Sequence, residues 1–279
     1  MTAAAFSGAR PPSARLGHLA HQTRAHARQV SALILFAFVV CHLLSHTFLI
    51  VSIPLGDEAL GVLMGFWWSH TGTIVLAAAL AVHLTNALWS IFIRRYLRMP
   101  LWEWAQLGLG LFIPPMIMMH VIGTKISDMY LGTSSGYLSV LTRNWVMSPW
   151  LAGLQIIAVL VIWLHACIGL HFWLRTTRWY APIQPALAGA ALLLPALAIA
   201  GFVAGGSEVV RRAQDPAFIE SVVQHAHATP EKTARGRWIS LIVFGGYLAL
   251  VALPFAGRGI RGALYRLRRP PQLLSLIHI

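Results

Sequence analysis

Histidines are the residues of this chain best able to do chemistry, because they lie inside long apolar segments. Ionisable side chains at membrane depth are costly, and they usually mark a functional site. A single such histidine often only hydrogen-bonds a neighbouring helix. Here four consecutive apolar segments each carry at least one, whereas the two later segments carry none, which indicates a shared site. The six histidines are His42, His46, His83, His120, His165 and His171.

The depths of these histidines divide them into two layers. With a helical rise of about 1.5 Å per residue, His83 and His165 lie about 15–17 Å from the arginines that end their segments. His42, His46 and His120 lie roughly 21–27 Å from the start of theirs. Each layer thus combines histidines from two non-consecutive segments, as two stacked haems with opposed imidazole ligands require. Depth alone slightly favours His46 over His42 as the partner of His120.

Small and polar residues beside the histidines support a bound porphyrin. Asn86 follows His83 by three positions, Gly123 follows His120 by three, and Gly169 follows His165 by four, so each shares a helix face with its histidine. We expect these glycines to leave space for a macrocycle, with close helix packing as the alternative. The two cysteines form no CxxC pattern, so the sequence predicts neither a zinc site nor an attached c-type haem.

Six apolar segments must position these side chains. Of the 279 residues 57% are hydrophobic and 10% are charged, whereas soluble domains carry about a quarter charged residues. A membrane span needs about 20 apolar residues. The predicted fold is an all-α polytopic membrane bundle with a four-helix haem-binding core, residues 30–174. The predicted spans are Val30–Ile53, Thr71–Ile93, Trp104–Gly123, Trp150–Leu174, Pro185–Gly206 and Trp238–Phe255.

Basic residues predict the orientation of these spans. Of the 21 Lys and Arg residues, 14 lie in the two tails, the second loop and the fourth loop. Positive charge favours the cytoplasm, so both termini are predicted there, in a bacterial inner membrane. The excess of basic residues is therefore explained by membrane topology and by attraction to anionic lipid, and a nucleic-acid partner is excluded. Outside the membrane domain, 30–257, we expect an N-tail, 1–29, and a basic tail, 258–273.

The remaining segments complete this organisation. Residues 207–237 are predicted to form a partly helical external cap. The last six residues, 274–279, match the translation of a common sequencing adapter, so we expect the natural reading frame to differ there. His171 lies four residues before Arg175 and is expected near the membrane interface, beside a haem propionate or a quinone head group.

Short motifs around the histidines resemble one family. They are His42–Leu43–Leu44–Ser45–His46, His83–Leu84–Thr85–Asn86, His120–Val121–Ile122–Gly123 and His165–Ala166–Cys167–Ile168–Gly169. In order and spacing they resemble the dihaem cytochrome b anchor of succinate dehydrogenases and fumarate reductases. The chain is most similar to the six-helix version fused to bacterial class III adenylate cyclases. The similarity spans roughly residues 28–269.

The resemblance implies two haem b groups, one held by His42 with His120 and one by His83 with His165. His46 remains the alternate for His42. It also implies a quinone site near Arg28 and Ser31, which match the family's Arg-x-x-Ser pattern, although Ala32 replaces the usual glycine. No catalytic residue is predicted in this chain, since the implied ferredoxin-like and cyclase domains would follow it.

Two functions from the resemblance and one from another class remain open. The leading hypothesis is a quinone-responsive haem sensor and anchor for a cytoplasmic cyclase, with a homodimer as one possible state. The alternative is the cytochrome b electron-transfer subunit of a quinone oxidoreductase. A cofactor-free transporter is disfavoured, because intramembrane acids and an inverted repeat are not evident in the sequence.

Overall fold

The computed structural model describes residues 12–94, 96 and 98–267, and that part of the chain contains helices without a strand. Residues 1–11 and 268–279, which include the suspected adapter sequence and the end of the basic tail, lie outside it. The helices are α1 Pro12–Thr47, α2 Ile53–Trp68, α3 His70–Ile93, α4 Leu101–Val121, α5 Ser127–Leu131, α6 Tyr137–Thr142, α7 Trp150–Leu174, α8 Tyr180–Arg212, α9 Pro216–His225 and α10 Pro230–Leu267.

Six helical segments are long and apolar enough to cross a membrane, judged by length and composition. They lie in α1, α3, α4 with its continuation to Leu131, α7, α8 and α10. The prediction of an all-α polytopic helical bundle is therefore confirmed. Its apolar outer faces contact lipid, as expected of a multi-pass membrane protein.

Several helices extend beyond the predicted spans. The fifth and sixth predicted spans are the apolar middles of α8 and α10, which are 33 and 38 residues long. Polar residues outside a bilayer can continue a helix, so hydropathy underestimates its length. The start of α10 can nevertheless be recognised in the sequence. Thr229 Oγ1 accepts a hydrogen bond from the Lys232 backbone N–H at 3.2 Å, and Pro230, the first helical residue, follows Thr229. A threonine cap followed by proline is typical of a helix start.

The six long helices form a closed ring. In cyclic order they are α1, α3, α10, α4, α7 and α8, each packed against the next. Within this ring α1 packs closely on α3, and α4 packs closely on α7. Among the described residues, the backbones of these two pairs do not pack extensively against each other. A seam therefore separates the α1–α3 pair from the α4–α7 pair, and α8 and α10 close its two edges.

The ring has two different ends. Three connections at one end contain the short helices α2, α5, α6 and α9, so we call it the capped end. The other end has the short connections after α3 and α7, and we call it the open end. Residues 207–237, predicted to be a partly helical external cap, include α9 and the adjoining turns of α8 and α10, and their external location stays a prediction.

Two prolines free carbonyls that link the α4–α7 pair to the edge helices α10 and α8. A proline lacks the N–H that would bind the carbonyl four residues earlier. Pro115 thus frees the Leu111 carbonyl on α4, which accepts a hydrogen bond from Tyr247 Oη of α10 at 2.5 Å. Pro195 frees the Ala191 carbonyl on α8, which accepts from the Trp163 indole of α7 at 2.6 Å. The freed carbonyls become links between helices.

Candidate functional site

Two histidine pairs meet across the seam. Near the capped end the ring centroids of His42 on α1 and His120 on α4 are 5.8 Å apart. Near the open end the centroids of His83 on α3 and His165 on α7 are 6.2 Å apart. Each pair joins one helix of the α1–α3 pair to one helix of the α4–α7 pair. The structure thus brings together the four histidines that the sequence grouped into two layers.

A hydrogen bond orients His165 in the open-end pair. Its Nδ1 lies 3.0 Å from the backbone carbonyl oxygen of Gln106 on α4. The side-chain Nε2 of Gln106 in turn donates to the backbone carbonyl of His165 at 3.0 Å. A neutral imidazole that donates from Nδ1 carries its lone pair on Nε2, which is the nitrogen that can bind a metal. The facing ring of His83 lies beside Arg28 of α1.

The capped-end pair includes a third histidine. His46 lies one turn beyond His42, with ring centroids 4.8 Å apart and Nε2 atoms 3.4 Å apart. Its ring also contacts Tyr137 at 5.3 Å and Phe202 at 6.3 Å. The position of His42 beside His120 favours His42 over His46 as the partner of His120, although its role as a ligand stays a prediction.

The glycines beside the histidines differ from expectation. A Cβ added at Gly169 would lie 2.9 Å from Gln106 Nε2, and one at Gly123 would meet the Arg143 guanidinium. The space beside them is therefore filled by these side chains and not left for a macrocycle. At Gly110, which the sequence analysis did not single out, an added Cβ would lie 2.8 Å from Cε1 of His165. Asn86 donates to the Val82 carbonyl of its own helix at 2.9 Å.

The residues implied in quinone binding lie toward the open end. Ser31 is buried, and its hydroxyl donates to the Arg28 carbonyl at 3.0 Å, while the Arg28 side chain is exposed. His171 Nδ1 lies 2.7 Å from the hydroxyl of Tyr180, at the start of α8. The His171 ring therefore faces this phenol, a contact that the sequence analysis did not foresee.

Three polar residues near the pairs escaped the sequence analysis. Gln106 and Arg143 bond to backbone carbonyls distant in sequence, so no local motif marks them. Tyr137 is buried, its hydroxyl lies 2.9 Å from Ser45 Oγ, and its amide donates to Asp57 Oδ1 at 2.8 Å. Burial raises the pKa of the Tyr137 phenol, so this hydroxyl stays protonated.

The separation of the paired rings is close to that of two imidazoles on one metal. Two imidazoles on opposite sides of one metal, each about 2 Å from it, place their ring centroids roughly 6 to 6.5 Å apart. The Nδ1 atoms of His42, His83 and His120 are buried without a hydrogen-bond partner, so these three rings lack the bond that orients His165. Among the described residues no cluster of three His, Cys, Asp or Glu side chains is placed to hold a metal ion.

Comparison of the chain with protein-family models, with curated proteins and with solved structures finds no match.

Proposed function

We propose that this protein is a membrane cytochrome that binds two haem b groups in the seam between its helix pairs. His42 with His120 would hold one haem, and His83 with His165 would hold the other. The observation that supports this most strongly is that both pairs bridge the same seam, with ring centroids 5.8 Å and 6.2 Å apart. When bound, haem b supplies a one-electron couple between ferric and ferrous iron.

The chain's own residues would prepare the site in three ways. The backbone carbonyl of Gln106 accepts the Nδ1 proton of His165, which leaves Nε2 of that ring as the nitrogen that can bind a metal. The helix pairs α1–α3 and α4–α7 keep the opposed histidines on separate rigid elements, and α8 and α10 close the seam to lipid. Imidazoles placed on packed helices are oriented before a ligand binds, which lowers the entropic cost of binding.

Absorption spectroscopy tests this function directly. The purified protein, produced with ample haem, is expected to bind about two haems per chain and give a b-type reduced-minus-oxidised spectrum. A control lacking His83, His120 and His165 together keeps the helices but removes a ligand from each site, and it is expected to be colourless. A wild-type protein without bound haem would contradict the proposal.

Quinone is the proposed redox partner, with its binding region at the open end. The support is the resemblance of Arg28 and Ser31 to a quinone-binding pattern, together with the position of Arg28 beside His83. Quinones added to the haem-loaded protein are expected to oxidise the reduced haems. Arg28→Gln is expected to slow this reaction, whereas Arg211→Gln, which removes an exposed charge at the capped end, is expected to leave it unchanged.

A more specific proposal is that the protein is a sensor and anchor for a cyclase. It is supported by the family resemblance and by contacts between the end of α10 and the end of α3. There Arg258 donates to the carbonyls of Ile91 and Arg94, and Arg261 donates to the Phe92 carbonyl at 2.8 Å. These are the last carbonyls of α3, the helix that carries His83, and they lack helical partners. Movement of α3 would therefore be passed to α10 and to any domain attached beyond it.

The alternative function, the cytochrome b subunit of a quinone oxidoreductase, shares the same haem sites. The gene itself distinguishes the two. A reading frame that continues past residue 273 into ferredoxin-like and cyclase domains supports the sensor. A stop codon there, beside genes for a flavoprotein and an iron–sulfur subunit, supports electron transfer.

A further inference from the structure

A half-buried arginine without an acidic partner lies next to the capped-end histidines. Arg143 follows α6 in a π-helical turn, Arg143–Met147, and its guanidinium lies close enough to His120 to interact electrostatically. Its Nη1 donates to the Gly123 carbonyl at 2.8 Å. Within the described chain no carboxylate lies at ion-pair distance from it. A charge removed from water in this way is costly unless an anion compensates it.

The neighbouring residue supplies a second unused donor. Asn144 is only 1% exposed, and its Oδ1 accepts from Arg143 Nε at 3.3 Å. Its amide nitrogen is buried and has no acceptor among the described residues. Native proteins leave few buried donors unpaired, so such a group calls for an explanation. Here a cation and an unpaired N–H₂ group occur side by side.

Two acids at the capped end, Asp57 and Asp128, bond to other residues. Asp57 accepts the amide of Tyr137, and Asp128 accepts the hydroxyl of Ser135 at 2.7 Å. A ligand is therefore the remaining source of negative charge. The chemistry of the two donors selects an oxygen anion, and a carboxylate matches a guanidinium best.

We propose that Arg143 and Asn144 form a carboxylate-binding site that holds a propionate group of the haem bound by His42 and His120. This inference rests on the proposed function. Gly123 permits the arrangement, since a Cβ there would meet the guanidinium. A π-helical turn at Ile122–Ile126 presents the Gly123 carbonyl, and π-helical turns are frequent at functional sites. An anion dissolved in the medium has the same chemistry, and the test separates the two sources.

Redox titration of Arg143→Gln provides the test. The capped-end haem is first identified as the component lost in His120→Ala. Loss of the guanidinium is expected to shift the potential of that component downward, because a nearby positive charge disfavours ferric iron. The open-end component is expected to stay unchanged. Arg143→Lys, which keeps the charge, is expected to give a smaller shift, and Arg211→Gln, which removes an exposed charge, none.

Haem whose propionates are esterified identifies the source of the anion. If a propionate occupies the site, the esterified haem binds the wild-type capped-end site about tenfold or more weakly, and Arg143→Gln removes that preference. Equal binding of both haems, with a potential that follows phosphate or chloride concentration, would assign the site to a dissolved anion and overturn the inference. An unshifted potential in haem-loaded Arg143→Gln would overturn the propionate site but leave the proposed function intact. A haem-free wild-type protein would overturn both.

Discussion

The two histidine pairs lie in the same seam but are held in different ways. In the open-end pair a backbone carbonyl accepts the His165 ring N–H, which fixes both the tautomer and the orientation of that ring. In the capped-end pair neither His42 nor His120 has such a bond to a carbonyl, and both, like His83, retain a buried Nδ1 without a partner. The His42 ring instead contacts the rings of Phe38 and His46.

This difference separates a predefined site from an adaptable one. A ring fixed by a hydrogen bond presents one nitrogen, so a ligand must match it. A ring that bonds only to another imidazole is less strictly oriented, and the Nε2 of His46, 3.4 Å from that of His42, offers an alternative ligand. We therefore expect the open-end pair to be sensitive to small steric changes and the capped-end pair to tolerate the loss of one ligand.

The largest expected effect is the complete loss of the haem that one histidine pair binds. His165→Ala and His83→Ala are each expected to remove the same spectral component, the open-end haem, and to leave about one haem per chain. His120→Ala is expected to remove the other component. Difference spectra and haem content measure both results. If His83→Ala and His120→Ala deplete the same component, the assignment of the pairs is wrong.

The spare histidine at the capped end predicts a graded loss. His42→Ala is expected to keep part of the capped-end haem, because His46 can replace the missing ligand from one turn away. The double substitution of His42 and His46 is expected to lose that haem completely. Haem retention during dialysis measures the difference. Equal losses in the single and double variants would show that His46 does not act as a substitute.

A glycine on α4 tests the rigidity of the open-end pair. A Cβ at Gly110 would lie 2.8 Å from the His165 ring, so Gly110→Ala is expected to displace that ring and weaken the open-end haem. Gly108→Ala is the matched control, because nothing lies within 4 Å of its added Cβ. Both substitutions gain about 1 kcal/mol of helix propensity, so only the contact differs. Depletion of the capped-end component by Gly110→Ala would contradict this comparison.

The layers of the site could be predicted from the sequence because helical rise is constant. Residue positions alone placed His83 with His165 and grouped His42, His46 and His120. The choice between His42 and His46 could not be made, since it depends on the rotation of α1, which is set by its neighbours. Polar contacts to distant backbone, such as that of Gln106 with α7, leave no pattern in the sequence.

The packing positions of α8 and α10 could not be predicted from the sequence either. Their outward-facing residues are as apolar as lipid, so hydropathy does not say which helices they contact. Prolines inside the long helices do carry such information. Pro115 and Pro195 each free a carbonyl, and a donor on a neighbouring helix is expected for each. Tyr247 and Trp163 meet this requirement.

The bond from Tyr247 is expected to support both histidine pairs equally, because α4 carries both His120 and Gln106. Tyr247→Phe leaves the Leu111 carbonyl without its donor, at a cost of about 1–3 kcal/mol. In a Pro115→Ala background the backbone N–H of residue 115 can bind that carbonyl, so the cost is expected to fall. Thermal unfolding in detergent measures both values. The same cost in both backgrounds would show that the proline does not create the need for Tyr247.

The smallest expected effect concerns Asp57, which holds Tyr137 against the capped-end rings. Burial raises the pKa of this carboxyl above its usual value of 3.8, and the hydrogen bond from the Tyr137 amide opposes part of that shift. A raised pKa means that the folded protein binds the proton more tightly than the unfolded chain. The resulting stability is present below pH 3.8 and is lost as pH rises through the folded pKa.

Asp57→Asn is therefore expected to remove this pH dependence while its amide oxygen still accepts the Tyr137 N–H. Asp57→Ala lacks the acceptor and is expected to be less stable by about 1–3 kcal/mol at every pH. Thermal unfolding of the haem-loaded protein between about pH 4 and 7, followed separately at the two haem components, distinguishes these effects. The change is expected in the capped-end component, since Asp57 contacts only that end of the bundle through Tyr137. An equal change in both components would show that the two ends unfold as one unit, and the contrast between the pairs would then be limited to ligand binding.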